Sequence, residues 1–427
     1  MFKDIKVWRE DMKRKNDRKL VAVLLGTCMV ASLIGCGTNV TKNKSNEDVV
    51  KISLWTDEKT APILKEELEN FKELHKEEAN FEFTVSVEIT GNCKDTVLSN
   101  PKGAADLFSI ADDQLEEMYQ SGVLLEVTEH KDEVLDAIGG ADSGIAQTVL
   151  RDGKLYAYPE TASNGYFLYY NRKYFSEEDV KTLDRILEVC KENNRKFSMD
   201  FSDGWYIYSF FKGAGLDIYS NETGTANICN WNATDTEYTG VDVAKAMLDI
   251  SAQESFMTLD DIGFTTAVES GVVIAGVNGA WNFDVIAKTW GEDYAAAKLP
   301  TYTIRGDQKQ MCSFLGYKLM GINANTKHPE WCMKIAEYLT NEENILERCK
   351  LTGECPANEK AAADSEIQKS SVVKALAQQA EFGSCQSVAD PYWKASSKLG
   401  ITLAAGNLGN RDLQELLDET QAAIVAK

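Results

Sequence analysis

The chain has 427 residues, 44% of them hydrophobic and 9% aromatic, which is enough to bury a large core and to fill two domains. Its formal net charge of −22 repels polyphosphate and anionic lipid, so composition argues against nucleic-acid binding and against docking on a membrane by a basic face. Three histidines, none near a cysteine pair, leave little material for general-base or zinc chemistry.

At the start of the chain, Lys13, Arg14, Lys15, Arg18 and Lys19 precede an apolar run from Leu20 to Gly35, and Cys36 follows at once. A basic region, a short apolar region and small residues before a cleavage point predict a secretory signal over residues 1–35. The run is too short for a comfortable membrane span. Leu33-Ile34-Gly35 directly before Cys36 resembles a bacterial lipoprotein signal, with Cys36 lipidated after cleavage; a plain secretory signal is the alternative. Asp4, Glu10 and Asp11 suit a signal poorly, whereas Met12-Lys13-Arg14-Lys15 begins a cleaner one, so translation is expected to start at Met12. The polar residues 36–48 predict a flexible stalk. Of ten cysteines, Cys28 would leave with the signal and Cys36 would carry lipid. Export invites disulfides for the other eight, but their scattered spacing in so large a chain favours free, buried thiols.

Beyond the stalk, Val49 to Trp55 suits a first strand. Ala61 to Glu78 places Leu64, Leu68, Phe71 and His75 at helical spacing. Phe81, Phe83, Val85, Val87 and Ile89 alternate with polar residues and predict a second strand. Ala105 to Ala111 is a third, and Asp112 is expected to cap the helix carrying Leu115, Met118 and Tyr119, which ends at Gly122. This order predicts an α/β layer with parallel strands. Gly153 to Tyr170 is strand-rich and aromatic, and Val180 to Asn193 and Val241 to Ser251 read as helices. Trp205 to Phe211 is a dense aromatic run, and Val272 to Gly279 an apolar strand leading into Asn278-Gly279-Ala280-Trp281. Beyond Pro356 the chain reads as mostly helical.

No nucleophile elbow, Walker loop, zinc helix motif or dinucleotide fingerprint is present. A carboxylate pair for glycoside hydrolysis always exists among 67 acidic residues, so its presence decides nothing. The informative pattern is aromatic residues beside carboxylates and amides on Gly- or Pro-marked loops. Pyranose rings stack on indole and phenol, and their hydroxyls pair with planar carboxylates and amides. Asp203-Gly204-Trp205-Tyr206, Asn278-Gly279-Ala280-Trp281-Asn282 and Asp390-Pro391-Tyr392-Trp393 are three such places.

These segments lie within a longer resemblance. Ala105-Asp106-Leu107-Phe108 with Gln120-Ser121-Gly122, Leu155-Tyr156-Ala157-Tyr158-Pro159, Leu168-Tyr169-Tyr170-Asn171, Asn278-Gly279-Ala280-Trp281, Leu299-Pro300 and Gly321-Ile322-Asn323-Ala324 follow one another in family order. From Val50 onward the chain resembles the extracellular solute-binding proteins of ABC sugar importers, most closely the maltose/maltodextrin-binding branch. The agreement of many weak segments in order makes the resemblance specific.

The resemblance implies a two-lobed α/β fold of the periplasmic-binding-protein type, with sugar held in the cleft and a hinge closing around it. It implies a first lobe of residues 49–160 plus 301–355 and a second of 161–300 plus 356–427. Trp205, Trp281 and Trp393 fall on the family's stacking aromatics, Asp113 on a first-lobe hydroxyl-binding carboxylate and Asp203 on a second-lobe one. Asp57 lies near a further Asp-Lys pair. The segment after Pro159 is one residue longer than in the family, so Glu160, Ser163 or Asn164 supplies the next polar contact. Ile110 stands where the family has an aromatic, and Gln114 and Ser397 where it has arginines. These departures leave a longer α-glucan or another oligosaccharide as candidates beside maltose. The implied partners are an oligosaccharide, the transmembrane subunits of an ABC permease, and the membrane through a lipid on Cys36 at the extracellular face. The implied protein is a monomer without cofactor or metal, and a receptor rather than an enzyme. A secreted glycoside hydrolase and an adhesin that does not close on a ligand are the alternatives from other classes.

Overall fold

A computed structural model describes residues 49–221 and 226–426. The predicted signal, Met12, Cys36 and the stalk lie outside the described residues. None of the described helices is long and apolar enough to cross a membrane.

The first lobe begins strand–helix–strand. β1 (Val50–Thr56) leads into α1 (Ala61–Leu74), and β2 (Phe81–Val87) returns parallel to β1 from Val50–Phe81 to Thr56–Val87. α1 forms because Leu64, Leu68 and Phe71 recur on one buried face, and Pro62 in its first turn forfeits no helical hydrogen bond. It stops at Leu74, one turn short of the reach predicted from its spacing. β3 (Leu107–Ala111) lies parallel beside β1 and is buried at all five positions, as expected of a strand covered on both faces. β4 (Ala157–Thr161) closes this stretch, and four residues later β5 (Tyr166–Asn171) opens the second lobe.

There the chain adds β6 (Lys196–Ser198), the aromatic helix α2 (Gly204–Gly213), β7 (Phe256–Met257), α3 (Asp261–Glu269), β8 (Val273–Gly279) and β9 (Tyr294–Ala297). β10 (Lys318–Ile322) then returns to the first lobe, running antiparallel between β3 and β4. The first sheet has the order β2-β1-β3-β10-β4 and the second β7-β6-β8-β5-β9. α4 (Glu342–Thr352) follows on the first lobe, and α5 (Pro391–Ala404) packs on the second. Each lobe has its own core. One is built around Ile52, Leu107, Ile110 and Ile322. The other is built around Leu168, Ile207, Phe210 and Leu399.

Two local expectations are corrected. Asp112 makes no side-chain capping bond; the chain enters the helix Leu115–Gln120 through a 3₁₀ turn at Asp112–Gln114. The return to the first lobe also comes later than residue 301. Tyr302, Ile304, Met311 and Phe314 belong to the second core, and the Tyr302 hydroxyl donates to Phe210 O at 2.6 Å. Leu299-Pro300 therefore marks a turn within the second lobe, because the apolar residues after it bury there.

The three crossings lie side by side. Ala162 N donates to Cys355 O (2.8 Å), Ala357 N to Glu160 O (3.1 Å) and Asn164 N to Gly316 O (3.2 Å). Gly316 has no room for a side chain, since a Cβ there would stand 2.6 Å from Asp112 Oδ1. Beneath the crossings runs a buried chain of charges. Lys318 donates to Asp57 (2.7 Å) and Glu354 (2.9 Å), and Arg348 pairs with Glu67 (2.7 Å) and lies 4.0 Å from Glu160.

Carboxylates outnumber cations here, and the titration reflects it. Burial pushes Glu67 up to about 7 against the pull of Arg348, and raises Glu160 in the same way. The folded chain thus holds protons that the unfolded chain has already released. The stability they contribute is full at low pH and is lost as pH rises through about 7. The urea midpoint is expected to be higher at about pH 5.5 than at about pH 8, and Glu67→Gln to flatten the difference. An unchanged pH slope in that variant would place the proton elsewhere.

Candidate functional site

Two of the three segments singled out for aromatic–polar chemistry touch the first lobe, Trp281 through Lys59 and Asp390 through Lys94, while the third packs beside Trp393. α2 starts at Gly204 because the Asp203 carboxylate accepts from Trp205 N at 2.9 Å, an N-cap. Gly204 is required by close approach, since a Cβ there would lie 1.9 Å from Ser396 Oγ on α5. This contact locks the start of α2 to the start of α5 and so brings Trp205 to Trp393, with ring centroids 6.2 Å apart. Phe314 completes the cluster at 5.4 Å from Trp205 and 6.0 Å from Trp393, and Tyr166 meets Trp205 edge-on at 5.6 Å. Trp205 is 9% exposed, yet its buried Nε1 has no partner in the protein.

Trp281 stands apart from this cluster. Its indole folds over Gly279, where an added Cβ would fall 2.0 Å from the ring. Trp281 Nε1 donates to Asp261 Oδ2 (3.0 Å), and the same carboxylate receives Asn278 Nδ2 (3.0 Å) and Asn282 Nδ2 (3.3 Å). The ring is therefore pinned at its edge and covered on one face, and the residue remains partly exposed. From the first lobe, Lys59 reaches both Trp281 O and the Asp284 carboxylate.

The polar residues divide. Asp113 sits at the lobe junction, where its Oδ2 accepts from Gln386 Nε2 of the second lobe at 2.7 Å, while its Oδ1 is buried without a partner. Burial pushes Asp113 up to about 7, and burial and the neighbouring Asp113 do the same to Asp112. Burial also raises Asp203. Asp57, by contrast, is held below its ordinary range, because Lys318 and Thr90 outweigh its burial. Glu160 is 1% exposed and engaged by Ser109 Oγ at 2.8 Å, which places it in the buried charge chain rather than on an open wall. Asn164 lies in the first crossing, with Ser163 buried beside it and Ser163 Oγ unpartnered.

Asp112, Asp113, Glu116 and Arg151 of the first lobe face Tyr219, Ile228 and Gln386 of the second across a cavity of about 950 Å³. None of the three tryptophans lines it, so the aromatic cluster and this cavity are separate. Phe314, Asp261, Gln386 and Lys94 were not singled out from the sequence. Gln386 and Lys94 pair with residues 273 and 296 positions away, and none of the four sits in an aromatic–carboxylate string. The described residues hold no cluster of metal-ligating side chains.

Comparison with known proteins gives one consistent picture. A family model described as bacterial extracellular solute-binding protein matches residues 69–375. A curated protein of Bacillus subtilis (strain 168), named galactooligosaccharide-binding protein, is 25% identical over 383 residues, covering 86% of this chain and 87% of that one. A solved structure described as "with acarbose" is 27% identical, with a TM-score of 0.77 over 88% of this chain and 98% of that one. The maltodextrin-binding protein MalE1 from L. casei BL23, solved without ligand, is 23% identical, with a TM-score of 0.73 over 89% of this chain and all of its own. The likeness extends over both lobes.

Proposed function

This chain belongs to the bacterial extracellular solute-binding protein family, and we propose that it captures a malto-oligosaccharide between its lobes and presents it to an ABC permease from a lipid anchor at Cys36. Its role as the oligosaccharide-binding protein of an ABC importer follows from the family and its relatives, which are binding proteins and not enzymes. The finer parts of the reading are the α-glucan, the lipid, the permease subunits and the monomeric state.

The observation that carries the sugar reading is the pairing of Trp205 with Trp393 beside an unpartnered Trp205 Nε1. A buried donor left unpaired costs about 1–3 kcal/mol. A hydroxyl-bearing ring stacked on these indoles would satisfy that donor and cover the apolar faces together. Asp113 Oδ1, Asp112 Oδ1, Gln386 Oε1 and Ser163 Oγ are likewise buried without partners, as acceptors or donors for hydroxyls. In this reading Asp113, Asp203 and Asn164 bind hydroxyls, whereas Asp57 and Glu160 act from behind through Lys318 and Ser109.

The Bacillus subtilis relative favours a second reading, a galacto-oligosaccharide in the same cleft. Titration calorimetry with maltotriose, maltotetraose, galactobiose and galactotriose separates the two. Maltotriose is expected to bind with Kd in the micromolar range or tighter, on the order of −8 kcal/mol. Tighter binding of the galactosides would replace the linkage and keep the receptor. Release of glucose from maltotriose would overturn the receptor reading itself.

A further inference from the structure

The resemblance leads one to expect arginines at positions 114 and 397, and the structure shows other work for the residues that stand there. Gln114 Nε2 donates to Thr90 O (3.1 Å) and Gly91 O (2.7 Å), and Gln114 Oε1 accepts from Lys94 N (3.3 Å). It thereby fixes the entry to the short helix Cys93–Ser99. Ser397 Oγ accepts from Gly204 N at 3.2 Å, holding α2 against α5. Neither brings a cation to the lobe junction, but Lys94 does.

Lys94 is 7% exposed although it lies next to the lobe boundary. Its ammonium donates to Glu117 of the first lobe at 2.7 Å and to both oxygens of Asp390 of the second lobe at 2.8 Å. Asp390 is the residue from which α5 starts, three positions before Trp393. A charge that links Lys94 to Asp390 therefore also sets where Trp393 stands relative to the first lobe. Gln114 holds the segment that carries Lys94, so the neutral residue and the cation work as a unit. Asp390 and Glu117 are both largely exposed at their side chains (64% and 52%), so the cross-lobe arm is open to salt although the ammonium itself is buried, and the loss of that arm leaves Lys94 on the first lobe by its own helix.

We propose that Lys94 is the positioning residue for closure: its ammonium, kept on the first lobe by its own helix, draws Asp390 across the junction and seats Trp393 for the sugar. This makes closure an electrostatic equilibrium that exists before any ligand arrives, and a ligand shifts it by its preference for the closed form. The affinity part of this inference rests on the oligosaccharide reading, and the lobe-separation part does not.

The test uses the full mature chain carrying a dye on each lobe, with Lys94→Met, Lys94→Arg and Asp390→Asn compared to wild type. Without ligand, the wild-type lobes are expected to move apart as NaCl rises from about 0.02 to 0.5 M. Lys94→Met and Asp390→Asn should be apart at every salt, and Lys94→Arg should follow the wild type. With maltotriose, Lys94→Met should bind roughly five- to tenfold more weakly and lose its salt dependence. A Lys94→Met chain whose lobe separation and salt response match wild type would overturn the proposal. If maltotriose and the other oligosaccharides fail to bind wild type, the oligosaccharide reading falls, while the ligand-free separations still decide the role of Lys94.

Discussion

Replacing Arg348 with methionine is expected to cost about 3–5 kcal/mol of folding stability at pH 8, one of the largest single losses this chain can show. Arg348 is 2% exposed and holds Glu67 at 2.7 Å, Leu339 O at 2.7 Å and Glu160 at 4.0 Å. Methionine fills the volume but leaves Glu67 without a cation and Glu160 with Lys318 alone. Those carboxylates would then take up protons more readily still, so the loss should shrink as pH falls toward about 5. Urea unfolding at the two pH values checks both the size and the sign. Adding Glu67→Gln to the variant should recover part of the loss at pH 8. A variant as stable as wild type at pH 8 would show that α4 does not depend on this staple to stay on α1.

The second large effect is on binding. Trp281→Ala is expected to weaken sugar binding at least about tenfold while leaving thermal unfolding nearly unchanged. Stacking is worth roughly 0.5–1.5 kcal/mol beyond burial, and the covered ring area adds more. Trp281 suits this test better than Trp205, which is 9% exposed and belongs to the second core. Trp281 is partly exposed, and its ring rests on Gly279 and Asp261. Calorimetry and a melting curve on the same sample decide the matter. A large fall in melting temperature with intact affinity would make Trp281 a structural residue.

Much of this architecture was legible because periodicity reports burial directly. The alternation from Phe81 and the spacing of Leu64, Leu68 and Phe71 become β2 and α1, and the apolar run at Leu107–Ala111 becomes a strand buried on both faces. Glycine or proline beside each tryptophan suggested loops, but Trp205 lies within α2 and Trp393 within α5, because Asp203 caps one helix and Pro391 opens the other; Gly204 and Gly279 have the physical reason of close approach. What sequence reasoning missed is pairing over long range. Nothing local marks Lys94 as the partner of Asp390, or Gln386 as that of Asp113. The Asp112 cap failed because Asp112 enters a 3₁₀ turn and its Oδ1 is left unpartnered. The boundary at residue 301 failed because a Leu-Pro turn says where the chain bends, not which core the next apolar residues enter.

The sulfurs carry a practical consequence. Cys93, Cys190, Cys332 and Cys355 are free thiols pushed up to about 12 by burial, so they are nearly unreactive near neutral pH. Cys385 is exposed and stands next to Gln386 on the rim of the junction cavity. A maleimide fluorophore attached at this natural handle would sit where the two lobes face each other, and the closure proposed above would change its surroundings. Without any introduced cysteine, the mature protein offers itself as an optical reporter of whatever it captures.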